Sequence, residues 1–97
     1  MDVTRSVTRR LGEVGGSVSR WRLLQSLKAE ELAERAGISR STLQKIERGE
    51  AGVSFGAVLS VMQALGQLEH VAESFDPLST DVGKLRASEV LPERIRR

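Results

Sequence analysis

Ninety-seven residues, 39% of them hydrophobic and only three aromatic, make one domain with a modest core. The absence of cysteine excludes a disulfide framework and a thiolate metal site, and no apolar run approaches the roughly 18 residues of a membrane span. Net charge is only +2, but residues 1–50 hold ten Lys/Arg against seven Asp/Glu, residues 51–76 hold three acids and no base, and residues 77–97 hold five bases against three acids. Such a division either marks one face built for an anion or is ordinary surface charge. The opening "MDVTRSVTRRLGEV" lacks the apolar stretch of a secretion signal, and with the cysteine usage this predicts a cytoplasmic protein without a membrane partner.

In chain order, Val3, Val7, Leu11 and Val14 recur at helical spacing, so residues 3–14 can add a turn or two of helix. Gly15 and Gly16 weaken any continuous helix there. A helix is predicted over about residues 16–26, with Val18 and Trp21 inward. "AEELAERA" (29–36) consists of good helix formers, with Leu32, Ala33 and Ala36 on one face. Gly37 sits where a helix stop needs a left-handed residue. Ser39 can cap the next helix, which runs to about Arg48, and Gly49 ends it. Only Gly37 and Ile38 separate the two helices, so they must bend sharply against each other. In "SFGAVLSVMQALG" (54–66), Ser54 is a cap and Gly66 a stop, and Phe55, Val58, Leu59, Met62 and Leu65 form an apolar stripe. Phe55 and Met62 are expected in the core. A fifth helix, 68–75, ends before Pro77. Beyond it, Val82, Leu85 and Val90 suggest a short helix or docking strip in an otherwise loose tail. Strand signals are poor, so the predicted class is all-α. The expected division is an extension, 1–13, a helical domain, 14–75, and a flexible or short-helical tail, 76–97.

The stretch "GISRSTLQKIERGE" (37–50) is unusual for a core helix. Within its helical part, 39–48, only Leu43 and Ile46 are clearly apolar, and Arg40, Ser41, Thr42, Gln44, Lys45 and Arg48 make a broad polar face. "LKAEELAERAGISRSTLQKIERGE", with "SFGAVLSVMQALG" after it, resembles the five-helix DNA-binding domain of the lambda-repressor/Cro-like helix-turn-helix family, the XRE family, over about residues 14–75. The resemblance implies that the second motif helix enters the DNA major groove, whose base edges display donors and acceptors. It implies base contacts from Arg40, Ser41 and Lys45, with Gln44 as a second-rank contact. Lys28, Ser39, Thr42 and Arg48 are the corresponding candidates for phosphate, Lys28 at a helix start where free N–H groups attract anions. The resemblance also implies a largely buried salt bridge between Arg22 and Glu47. The family commonly places a small polar cap and then Gln at the start of the first motif helix. Lys28 and Ala29 depart from that pattern.

From the resemblance we expect a double-stranded DNA-binding repressor, acting as a homodimer whose recognition helices lie about 34–36 Å apart on a palindrome. Helix 68–75, exposed parts of helix 54–66 such as Val61, or the tail are the expected dimer surfaces. The end "LPERIRR" also resembles HipB-like antitoxins, which repress their own operon and bind a HipA-like kinase toxin. Arg5, Arg9 and Arg10 form either an arm on DNA or a solvated helix face. His70 stands without a second His or any Cys, so no metal site is expected. No nucleophile motif or phosphate loop is present, and the glycines of "LGEVGG" are wrongly spaced for a dinucleotide fingerprint. Neither an enzyme nor a cofactor is expected.

Overall fold

Side-chain caps begin three of the helices, and left-handed residues end several of them. In a computed structural model that describes residues 2–90, Thr4, Ser39 and Ser54 each accept a hydrogen bond from the backbone N–H three residues on, at 3.2, 3.0 and 3.1 Å. These caps open α1 (Arg5–Leu24), α3 (Arg40–Arg48) and α4 (Phe55–Ala64). Between them lies α2 (Ala29–Ala36), and after them come α5 (Leu68–Phe75), a 3-10 turn (Pro77–Ser79) and α6 (Asp81–Val90). Gly37 and Gly49 stop α2 and α3 at φ of 70° and 77°. At the end of α1 a non-glycine does this work: Ser26 has φ of 56°, and the Leu27 N–H reaches back to the Arg22 carbonyl at 3.0 Å.

The expected break at Gly15–Gly16 does not occur. One helix of 20 residues runs straight through it. The glycine has a different purpose. Gly15 is buried against the C-terminal end of α3, and a Cβ on it would lie 2.5 Å from the Glu47 carbonyl oxygen and 2.6 Å from that of Ile46. Gly49 makes the reciprocal approach, where a Cβ would lie 2.7 Å from the backbone of Leu11 and Gly12. Residues 5–13 therefore continue the first helix, and the backbone of Leu11 and Gly12 lies against Gly49 at the end of α3.

Val18, Leu32, Leu43, Ile46, Val61 and Leu65 form the centre of the core, with Trp21 and Met62 packed half-buried against it. Two positions on α4 differ from the sequence expectation. Val61 is 0% exposed and cannot belong to a dimer surface. Phe55, expected in the core, is 56% exposed. The physical reason is that α4 is central and packs on α2, α3 and α5, so its buried line runs through Val61 and Leu65. Phe55 stands at the first turn, on the rim, against the ring of Phe75 at 5.6 Å. A further tie comes from Gln25, whose side-chain amide donates to the Leu65 carbonyl at 2.8 Å and satisfies the end of α4.

Two of the three α1 glycines, Gly12 and Gly15, predict opposite mutational signs. Gly15→Ala should lower unfolding free energy by about 2 kcal/mol, because the new methyl meets backbone that cannot move aside. Gly12→Ala, with open space at its Cβ, should raise it by about 0.5–1 kcal/mol through helix propensity. Urea titration of both variants checks the pair.

Candidate nucleic-acid interface

Helix α3 has an inner edge and an outer face. Leu43 and Ile46, three residues apart, are buried. Opposite them, Arg40, Ser41, Gln44 and Lys45 are all exposed. At spacings of one, four and five they cover adjacent strips of one helix surface. Lys45 makes no ion pair among the described residues, whereas Arg40 Nη1 lies 3.4 Å from Glu30 Oε1 on the first turn of α2. Both partners are exposed, so the pair positions Arg40 more than it stabilises the fold. Glu30 gave no signal in the sequence, because the two residues approach only once the α2–α3 turn has closed.

The expected phosphate contacts divide. Arg48 is exposed, with Glu50 at 3.9 Å. The Ser39 hydroxyl accepts the Thr42 N–H and donates to Thr42 Oγ1 at 2.9 Å, so it is committed to the cap. Thr42 is half-buried and keeps its own hydroxyl proton for another acceptor. At Lys28 the backbone N–H is taken: the Glu31 carboxylate accepts it at 3.0 Å. Glu30 and Glu31 both stand in the first turn of α2 and place negative charge beside that helix start. Lys28 is left with its exposed ammonium alone.

Behind α3 lies a polar lock. Arg22 Nε donates to Glu47 Oε2 at 2.9 Å and Arg22 Nη2 to Glu47 Oε1 at 3.2 Å. Ser19 Oγ donates to the same Oε1 at 2.8 Å, and Arg22 Nη1 donates to the Leu27 carbonyl at 3.2 Å. The two charged side chains are only 17% and 16% exposed. Such a pair is tolerable away from water because every arm has a partner. Ser19 was missed in the sequence. It lies one helical turn after Gly15, on the edge of α1 that faces α3, and only the glycine's packing role identifies that edge.

The model of the helix-turn-helix family matches residues 18–70, more than half of the chain and the whole of α2 through α4. The chain belongs to this family, in its XRE branch, and is a DNA-binding transcription regulator. No curated protein and no solved structure is significantly similar to it. The end "LPERIRR", which carried the antitoxin likeness, lies outside the described residues.

The lock carries a stability prediction. Glu47→Ala leaves the Arg22 guanidinium without its carboxylate and should cost about 3 kcal/mol. Ser19→Ala removes one hydrogen bond to that carboxylate and should cost about 1 kcal/mol. Equal and negligible losses in urea titration would show a solvated pair.

Proposed function

We propose that the protein is a sequence-specific repressor that binds a palindromic operator as a homodimer, with α3 of each copy in the major groove. The observation that carries this reading is the uncovered face of α3: four exposed polar side chains stand on a helix whose opposite edge is locked into the core. A B-DNA major groove is wide enough for one α-helix. Arg40 presents a planar fork suited to guanine O6 and N7, and Lys45 a point charge one turn further on. Ser41 and Gln44 fill the space between. Releasing Arg40 from Glu30 costs little, since an exposed pair is worth about 0–1 kcal/mol.

Phosphates would be held by Arg48, the Lys28 ammonium and the Thr42 hydroxyl, with Ser39 acting through Thr42. Arg5 and Arg9 are exposed, whereas Arg10 is paired with Glu13 at 2.9 Å. Acids sit among these bases, so affinity from charge alone is moderate and base contacts must supply the discrimination. Dimerisation suits a protein whose single domain offers one short reading helix. A cytoplasmic location follows from the same reading.

Selection of bound sequences from random duplex DNA supplies the ligand for the test. Arg40→Ala should lose preference between selected and unrelated duplexes while keeping its helical signal in circular dichroism. Arg48→Ala should weaken binding to both alike and flatten the salt dependence by about 0.9 log units per log unit of salt. If Arg40→Ala loses affinity equally on every sequence, Arg40 is a phosphate contact. If the unaltered protein shows no salt-dependent binding to any duplex, it is a protein-interaction module instead.

A further inference from the structure

Two apolar surfaces of the chain have no partner among the described residues. The first is a groove of about 450 Å³ between α1, α4 and α5, lined by Val14, Trp21, Phe55, Met62, Val71 and Phe75. Its rim charges, Arg10 and Glu13, pair with each other at 2.9 Å and leave the floor greasy. Along α1 it continues toward Val7 through a second depression that shares Arg10 and Val14. The second surface is on α6. That helix packs chiefly on the 3-10 turn, using its small residues: Ala87 is buried, and Gly83 lies against the Pro77 carbonyl so closely that no Cβ fits. Val82 and Leu85 face away from that edge, and each is 71% exposed. The turn fixes this arrangement, with Thr80 Oγ1 accepting the Gly83 N–H at 2.9 Å and Asp76 Oδ1 accepting the Leu78 N–H at 2.8 Å.

The chain is also less compact than its length calls for. A radius of gyration of 16.1 Å and a longest extent of 47 Å compare with about 12–13 Å for a closed domain of this size. Among the described residues, an isolated copy therefore holds the apolar edge of α6, Val82 and Leu85 beside the Arg86–Glu89 pair, out in water next to an unfilled apolar groove. We propose that α6 of one copy seats in the α1–α4–α5 groove of a second copy, and that the exchange is reciprocal. A two-fold dimer of this kind satisfies both surfaces at once, because each chain supplies one groove and one helix. Val7, Val14, Phe55, Phe75, Val82 and Leu85 together leave on the order of 700 Å² in water, counting an aromatic side chain as about 150–250 Å². That is close to the roughly 800 Å² per partner of a stable interface. The groove lies on the edge of α1 that carries Val14 and Trp21, whereas Gly15, Ser19 and Arg22 face α3. Occupation of the groove thus leaves α3 uncovered.

The inference rests on the dimeric reading above for the identity of the occupant, and it is tested without DNA so that the two fail separately. Sedimentation equilibrium of the full chain across a concentration series should give twice the chain mass. Val14→Glu, in the groove, and Leu85→Glu, on α6, should each halve that mass while circular dichroism keeps its helical signal; Val82→Glu replaces Leu85→Glu if the latter loses helix. Mixing the Val14→Glu and Leu85→Glu chains should restore dimers in part, because the mixed pair retains one unaltered groove filled by one unaltered helix. A monomeric parent protein, a dimer that survives either substitution, or a mixture that stays monomeric would each overturn the proposal. Loss of operator binding with the dimer intact would instead count against the DNA reading alone.

Discussion

The backbone of α3 lies against the backbone of α1 with almost no side chain between them, because Gly15 omits one Cβ and Gly49 the other. This close approach fixes where the recognition helix sits. Packed helices usually stand about 8–10 Å apart on their side chains, and such contacts can slide. A backbone-to-backbone contact at two separate points cannot. The lock of Arg22, Ser19 and Glu47 then closes over the same junction. A mostly buried ion pair of this kind adds little stability over apolar residues of equal size, but a half-formed one is costly. Its effect is to penalise any other rotation of α3 about its axis. Leu43 and Ile46 must point inward, and Arg40, Ser41, Gln44 and Lys45 are left outward.

If α3 reads DNA as proposed, the charge pattern around that face favours selectivity over bulk attraction. Many DNA-binding surfaces gain most of their affinity from phosphate neutralisation, which carries no sequence information. Here Glu30 and Glu31 stand in the first turn of α2, and Glu50 stands near Arg48. These carboxylates oppose unspecific contact with any duplex. Glu30, 3.4 Å from Arg40, is a weak competitor that a guanine edge would have to displace.

Much of the fold was legible in the sequence because local chemistry dictates it. Ser39, Gly37, Gly49 and Ser54 announce helix ends through caps and left-handed stops, and those ends fall where the residues say. The errors came where tertiary packing overrode local preference. Gly15 looks like a helix breaker and is a helix-packing residue. Val61 was placed on the surface and Phe55 in the core because a single stripe was drawn on α4, a helix that is packed on several sides. At the interface, the outward residues of α3 followed from the positions of Leu43 and Ile46. Glu30, Ser19 and the capture of the Lys28 N–H by Glu31 depend on contacts that no one-dimensional period encodes. The tail gave its apolar residues but neither the turn that holds α6 nor the direction in which Val82 and Leu85 point.

The central proposal is that one short helix, held rigidly from behind, meets the base edges. The most direct measurement is a nuclear magnetic resonance titration of isotope-labelled protein with a duplex selected for binding, following each backbone amide. The largest shifts should fall on residues 39–48, with smaller ones at Lys28 and the turn after Gly49, while the buried amides of Val18 and Val61 stay in place. Shifts centred on the groove between α1, α4 and α5, with residues 40–45 unmoved, would contradict it.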